Sequence, residues 1–584
     1  MNAQPQAAPL KYRWRVPEID LARRKALRQA LGISRITAQV LLNRGCRETA
    51  AAEAFLNPAP DELNDPFLFR DMRRAVARIE KALAQGEKIT VYGDYDVDGI
   101  SGAALLGEFF TALGHPVEIF IPDRFKDGYG LAAVQVERLA AAGVGLIITV
   151  DNGTSAYRAA ETAAALGVDV IVTDHHEVKG DLPDVYAVLN PHRLDGTYPD
   201  KRLCGAGVAF KLCHALLAER GEGSPARIPD RLMPLLDLVA LGTVADVAPL
   251  TGENRVLVRE GLKLLSSEAR VGIKTLKAVA GLAGEPVGAG QVGFHLGPRI
   301  NAGGRVADGN RGAQLLATTD PEVAMEAARY LDAANRERRD VESAILAEVV
   351  ERIDAEGWAT RNCIVMGQAG WHPGVLGIIA SRVVERYHRP CLLIGVGKGG
   401  IGKGSGRSIP ALHLFEALGA CEDLLLGYGG HMYAAGVSVE ADQIPKLAER
   451  LDQVVGRDVA PGDFQLSLKL DASARIDEIS QGLLDEFSRV APFGSGNPEP
   501  VLMLAGVRPT SVRVVGGDHL KMMLSAPGER RELSAIAFGC AEWLDSYIRE
   551  GVPVDLAGTV SINRYQGRET LQFRIRDLRP AARN

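Results

Sequence analysis

The sequence predicts an α/β chain in three folded parts: a parallel-sheet domain, a long helix leading to a second α/β unit, and a small β-barrel at the end. Three observations carry this reading. Short apolar runs alternate with amphipathic stretches over roughly residues 70–195, which marks a parallel sheet covered by helices on both faces. One long helical pattern starts at Asp320-Pro321 and stops at Gly357, its apolar stripe interrupted by NRERRD at 335–340. The last part of the chain switches to period two, as in TLQFRIRDL, where Leu571, Phe573 and Ile575 alternate with Gln572, Arg574 and Arg576.

Taken in order, residues 1–60 read as a helical, peripheral segment without chemistry. KITVYG (88–93), VEIFIP (117–122), LIITVD (146–151), DVIVTDHH (169–176) and AVLNP (187–191) read as strands. SGAALLGEFFTAL, LAAVQVERLAAAG and SAYRAAETAAALG read as the helices between them. Residues 204–320 are mostly helical. At Asp320-Pro321 a capping residue precedes a proline suited to the first helical position, and Gly357 supplies the stop. The polar middle of that helix, NRERRD at 335–340, suits a bridge between two bodies. Residues 360–456 form a second α/β unit with strands IVMG and CLLIGVG and glycine-rich loops. The expected boundaries are 1–60, 61–319, 320–358, 359–457 and 458–584, the last an OB-type barrel.

Bulk properties narrow the function. At 584 residues the chain is too long for one core. Its seven cysteines form no CxxC pair, so neither a disulfide framework nor a cysteine zinc site is expected. The net charge of −6 argues against indiscriminate polyanion binding and confines any nucleic-acid contact to local basic stretches. No apolar run approaches a membrane span and the first residues lack a signal-peptide core, so a cytoplasmic protein away from membranes is expected.

The charged residues at strand ends are the informative ones. Asp94, Asp96 and Asp98 follow the first strand, Asp151 the third, and Asp174, His175 and His176 the fourth, while Asp246 sits in the apolar stretch LGTVADVAPL. In a parallel sheet these ends share one edge, where ligands of open α/β folds bind. Singly, each has an ordinary reading: Asp98 as a helix cap, Asn152-Gly153 as a turn, His-His as incidental. Together they place many like charges at one edge, which calls for cations. Oxygen ligands with one or two imidazoles suit Mn²⁺ or Mg²⁺. A carboxylate shared by two ions, with Asp151 the candidate, would give a two-metal site for phosphoryl chemistry. The alternation in DYDVDG suggests an extended segment with all three aspartates on one side.

DYDVDG, VDNG, TDHHE and LGTVADVAPL, in this order, resemble the four motifs of the DHH phosphoesterase superfamily. GWHPGVLGIIASR (370–382) and GGHMYAAG (429–436) resemble its DHHA1 domain. GPRINAGGR (297–305), GSGRS (404–408), PFGSGNPEP (492–500) and the terminal NRYQGRETLQFRIRD narrow the resemblance to the RecJ family. That resemblance covers roughly residues 60–580.

It implies a single-strand-specific 5′→3′ DNA exonuclease of repair and recombination, using two divalent cations, Mn²⁺ or Mg²⁺. It implies metal ligands at Asp94, Asp96, Asp98, Asp151, His175 and Asp246, with His176 close by, Asp174 orienting the histidines, and Asp151, His175, His176 and His431 as the catalytic group. Substrate contacts are implied at Arg124, Arg299, Asn301, His372, Ser405, Arg407, Gly429, Gly430 and His431; Arg124, Arg299, Ser405 and Arg407 would read a 5′-phosphate. Arg124 reads equally well as a surface charge, His372 as a buried histidine bonded to a carbonyl, and Trp371 as a base-stacking or a core residue. Lys521, Arg564, Arg568, Arg574 and Arg576 either track a single strand or cover a solvated barrel face. The implied partners are single-stranded DNA, a single-strand-binding protein and a helicase, with the chain itself a monomer. The catalytic site is expected between the first α/β domain and the 360–456 unit. Two other readings stay open: a hydrolase of short oligonucleotides or cyclic dinucleotides, and a non-catalytic DNA-binding scaffold.

Overall fold

The computed structural model describes residues 12–123, 127–128, 130–306, 309–529, 531–546, 548, 550–565 and 567–581. They divide into two compact units. One comprises Leu56–Arg338 with Val490–Pro498, the other residues up to Phe55 with Arg339–Arg489 and the chain from Glu499.

The first unit is built on a five-stranded, wholly parallel sheet. Its strands lie in the order Glu118–Phe120, Lys88–Gly93, Val144–Val150, Asp169–Thr173, Ala187–Leu189. The runs are continuously apolar because both faces are buried. Ile89, Val91, Leu146, Ile148, Val150 and Ile171 pack into one core under the helices Met72–Gln85, Val97–Ala112 and Gly205–Glu219. Tyr92, Ile147, Val170 and Val172 pack on the other face with Val136, Leu139, Ala159 and Ala163 of the helices Ala133–Ala141 and Tyr157–Leu166. The remainder of the unit is helical, as expected, and includes one π-helical turn, Val292–Leu296, which leads straight into the helix Gly297–Val306.

The long helix is Pro321–Ala355, 35 residues, and the division between the units falls within it. Asp320 caps its start by accepting from the Glu322 backbone N–H at 2.8 Å, and Gly357 beyond its end adopts the left-handed region at φ 67°. The polar middle is only partly solvated, with Arg336, Glu337, Arg339 and Asp340 exposed. Asn335 and Arg338 are buried, and the Arg338 guanidinium donates to Asn335 Oδ1 at 3.0 Å.

The second unit holds a mixed five-stranded sheet and a barrel. In the sheet, Ile364–Ala369 runs parallel to Cys391–Val396, and Ile401–Arg407, Ala434–Glu440 and Gly427–Gly430 follow antiparallel. The barrel strands are Leu502–Val515, His519–Ser525, Leu533–Ala537, Val554–Tyr565 and Arg568–Pro580. They close in the order first, second, third, fifth, fourth and back to the first, with the third and fifth parallel. A closed, five-stranded Greek-key barrel is an OB-type fold.

The start of the described chain is mostly helical, as expected, with helices Leu21–Leu31, Arg35–Asn43 and Thr49–Leu56, but it opens on a strand. Tyr12–Arg15 is a strand, paired in parallel with Leu466–Lys469. Trp14 Nε1 donates to Asp577 at 2.6 Å, and a buried Arg44–Asp471 ion pair at 2.9 Å fixes the helix Arg35–Asn43 to the same body. The pattern YRWR is too short for period two to stand out, so strand pairing rather than local propensity decides it.

Candidate metal centre

Strand ends in the parallel sheet deliver carboxylates and imidazoles to one edge. Lys88–Gly93 ends before Asp94, whose N–H donates to Val150 O at 3.1 Å across the sheet. The chain then turns at once into a helix. Asp96 is its N-cap, with Oδ1 accepting from Asp98 N at 2.9 Å and Gly99 N at 3.2 Å. Asp98 is therefore in the first helical turn rather than at the cap. The three aspartates do not share one side of an extended segment, because the strand stops at Gly93 and the helix begins at Val97.

Asp98 points its carboxylate at the N-terminus of the helix Gly205–Glu219, accepting from Gly205 N at 2.6 Å and Ala206 N at 2.9 Å. Asp151 follows the central strand in the left-handed region, at φ 63°, an uncommon backbone for a residue with a side chain. Its carboxylate turns toward His175, whose Nε2 lies 3.0 Å from Asp151 Oδ1 and 3.8 Å from both Asp98 and Asp246. Asp246 arrives as the C-cap of the helix Leu236–Ala245.

Asp174 organises the two histidines. Its Oδ1 accepts from the backbone N–H groups of His175 (2.7 Å) and His176 (3.2 Å) and lies 2.7 Å from His176 Nδ1, while Oδ2 accepts from Thr154 N at 2.9 Å.

The candidate ligands thus form three overlapping sets: Asp94, Asp96 and Asp151; Asp98, His175 and Asp246; and Asp151, His175 and His176. Asp151 belongs to two of them. Beside them lies an open pocket of about 230 Å³ whose walls also include Tyr95, Asn301, Gly304 and Arg305.

The electrostatics fit a cation site. Burial, reinforced by Asp98, Asp96, Asp94 and Asp246, pushes the Asp151 carboxyl well above its ordinary range. Burial raises Asp98 despite the His175 imidazole beside it. Burial, with Asp98 and Asp96, pushes Asp246 up to about 9. Burial also draws His175 down, toward the neutral imidazole that ligates metals. For His176 burial acts downward too, but its contact with Asp174 outweighs it and raises the group to about 9. Asp151 Oδ1 is buried and accepts no hydrogen bond. Carboxylate oxygens with imidazole nitrogens are the donor set that Mn²⁺ and Mg²⁺ take, and such cations would replace the protons that burial otherwise holds on this cluster.

The other expected residues fall into distinct situations. Asn301 Oδ1 accepts from Val97 N at 3.0 Å and so steadies the turn that carries Asp96 and Asp98. Arg299 is buried, donating to Asp332 at 3.0 Å and to His295 O at 2.7 Å. Arg305, which sequence reasoning passed over as part of a motif, lines the metal pocket. Arg124 lies outside the described residues.

In the second unit, Ser405 and Arg407 sit on one strand, and Arg407 Nη1 donates to Ser405 Oγ at 3.1 Å. Arg407 has no carboxylate partner among the described residues, and burial lowers its pKa. The next strand carries Gly429 and Gly430 into the turn at His431, and Ser408 N donates to Tyr433 O within that turn at 3.0 Å. His372 caps the helix Pro373–Tyr387, its Nδ1 accepting from Gly374 N. Trp371 is a core residue bonded to Glu348 at 3.0 Å.

On the barrel, Arg564 is paired with Glu569 and Arg576 with Glu499. Lys521 and Arg574 flank Ile536 in one cross-strand row, next to Arg513.

Comparison with known proteins places these parts. Residues 88–243 match the DHH family N-terminal domain, 360–457 the DHHA1 domain, and 470–577 the RecJ OB domain. A Bacillus subtilis protein named single-stranded-DNA-specific exonuclease RecJ is 37% identical over 97% of this chain and 71% of its own length. The crystal structure of Thermus thermophilus RecJ in complex with Mn²⁺ superposes with a TM-score of 0.83 at 32% identity, covering 98% of this chain and 80% of that one. The Mg²⁺ complex of the same protein gives 0.76 at 31% identity, over 98% and 79%. With a site of this composition and relatives matched over nearly the whole chain, the protein belongs to the RecJ family.

Proposed function

We propose that the chain is a metal-dependent exonuclease that hydrolyses single-stranded DNA from its 5′ end to mononucleotides. The observation that carries this reading is Asp151, shared by two ligand sets at the sheet edge. Asp94, Asp96 and Asp151 would hold one divalent cation, and Asp98, Asp151, His175 and Asp246 the other, with His176 beside them. When bound, such a pair of Mn²⁺ or Mg²⁺ ions activates water and neutralises charge developing on a phosphodiester.

The chain's own residues do the rest. Asp174 fixes both histidines through their backbone N–H groups and His176 also through its ring. The Gly205 and Ala206 N–H groups hold Asp98. Ser405 and Arg407 form a fork and hydroxyl suited to a terminal phosphate dianion. Gly429, Gly430, His431 and His372 are assigned to the strand's backbone. Breaking the P–O3′ bond releases a nucleotide with a free 3′-hydroxyl and leaves the phosphate on the shortened strand, so each cut recreates the end that Arg407 would bind.

A hydrolase confined to dinucleotides has no use for the OB barrel, which favours a polymer. A scaffold has no use for a complete ligand set. We place the protein in the cytoplasm as a monomer; among the described residues no helix is long and apolar enough to cross a membrane. A single-strand-specific enzyme needs strands to be separated and kept open, which makes a helicase and a single-strand-binding protein its functional neighbours. The assignment is tested with Asp151→Ala: cleavage of single strands with Mn²⁺ should disappear while strand binding survives, and retained cleavage would refute the metal assignment.

A further inference from the structure

Two exposed apolar residues lie on segments that adjoin the turns carrying the metal-centre carboxylates. Val247 directly follows Asp246, is 69% exposed, and adopts φ 59°. A β-branched residue in the left-handed region is a true outlier, costing on the order of 1–3 kcal/mol, and such strain collects at functional sites. Phe294 is 77% exposed and lies in the π-helical turn Val292–Leu296. Single π-turns recur at functional sites for the same reason.

Gly297, which follows this π-turn, packs beside the centre. A Cβ on Gly297 would lie 3.4 Å from Ala245 Cβ and 4.0 Å from Val97 Cγ2, the neighbours of Asp246 and of Asp96 and Asp98. The helix that continues from Gly297 presents Asn301, Gly304 and Arg305 to the metal pocket. Phe294 and Val247 both lie outside the buried core; Val247 follows Asp246 directly, and Phe294 precedes Gly297 by three residues.

We propose that Phe294, supported by Val247, is a stacking platform for a nucleobase of the bound single strand close to the bond that is cut. The proposal rests on reading the centre as a nuclease site. The chemistry favours a base as occupant. The strand that brings a phosphate to the carboxylates must put its bases somewhere nearby, and an aromatic face accepts every base alike. An enzyme that degrades strands of any sequence needs such a sequence-neutral contact.

The test compares the unaltered protein with Phe294→Ala, Phe294→Trp and Val247→Gly, using Mn²⁺ and two 5′-phosphorylated strands, one intact and one abasic at its leading nucleotides. Leu166→Ala, an exposed apolar residue at the end of the helix Tyr157–Leu166, is the control. Phe294→Ala should raise KM on the intact strand about 10-fold or more with a smaller effect on kcat, and leave KM on the abasic strand nearly unchanged. Phe294→Trp should stay close to the unaltered protein. Val247→Gly, which relieves the backbone strain, should show the same split in weaker form and decides the matter if Phe294→Ala does not fold. Equal losses on both strands, or none on either, would overturn the platform while leaving the nuclease reading intact. Failure of the unaltered protein to degrade the intact strand would overturn both.

Discussion

Asp151 combines a left-handed backbone with burial and like-charged neighbours, and the last two disfavour its carboxylate unless a cation is bound. The consequence is a pH dependence whose sign is fixed by Asp246. Its carboxyl is raised from the ordinary range near 4 to about 9, so between these values the metal-free folded state keeps a proton that the unfolded chain has lost. Stability of the metal-free protein should therefore be highest at the acidic end of that window and fall as pH rises through it. Mn²⁺ replaces the protons, so its stabilising effect should grow with pH and its binding should release protons. Thermal unfolding at several pH values above about 6, with and without Mn²⁺, reads both effects; a metal increment independent of pH would contradict them. At this scale most of the candidate ligands were legible because they gather at the ends of parallel strands, although each has an ordinary role when taken singly. Which aspartate caps the helix was not. DYDVDG fits both an extended and a helical continuation, and only the turn at Gly93 decides between them.

Elements place the ligands by close backbone approach. A Cβ on Gly205 would lie 2.5 Å from Asp151 Cβ and 2.8 Å from its Cα, so this helix start and the end of the central strand are in contact. Gly205→Ala should displace Asp151 and lower Mn²⁺ affinity by roughly 10- to 100-fold, the range seen when groups that orient ligands are removed, while the far-UV circular dichroism stays unchanged. Unaltered Mn²⁺ affinity would show that the approach is not critical. The sheet itself was legible, since strands buried on both faces leave continuous apolar runs. The long helix was legible in extent through its cap and stop, and its polar middle was legible as a bridge, since the division between the units falls between Arg338 and Arg339. What the sequence did not show is that Asn335 and Arg338 within NRERRD are buried, because a hydrogen bond between two polar side chains leaves no apolar signature. The short strand Tyr12–Arg15 and the π-turn at Phe294 left no pattern in the sequence, being set by tertiary pairing and by a one-residue shift in helical phase.

At the scale of the whole molecule, a chain with a net charge of −6 must hold a polyanion through local basic rows. Of the barrel cations, Arg564 and Arg576 are already paired with glutamates, whereas Lys521 and Arg574 stand in one cross-strand row with Arg513. Lys521→Ala with Arg574→Ala should weaken binding of long single strands and reduce the salt dependence of that binding by about two phosphate contacts, with dinucleotide turnover unaffected. An unchanged salt slope would assign the row to solvent. Sequence motifs identified the domains at this scale because glycine-rich turns and ligand clusters recur with fixed spacing; they did not separate paired arginines from available ones, which depends on acids brought close by the fold.

The central claim is that the Asp151 centre cuts single-stranded DNA from the 5′ end with divalent metal. A single strand labelled at its 5′ or its 3′ terminus, digested with and without Mn²⁺, tests it most directly. The account predicts immediate release of labelled mononucleotide from the 5′-labelled strand, gradual shortening of the 3′-labelled strand, and neither without metal. Early mononucleotide release from the 3′ label, or degradation that persists in a chelator, would contradict it.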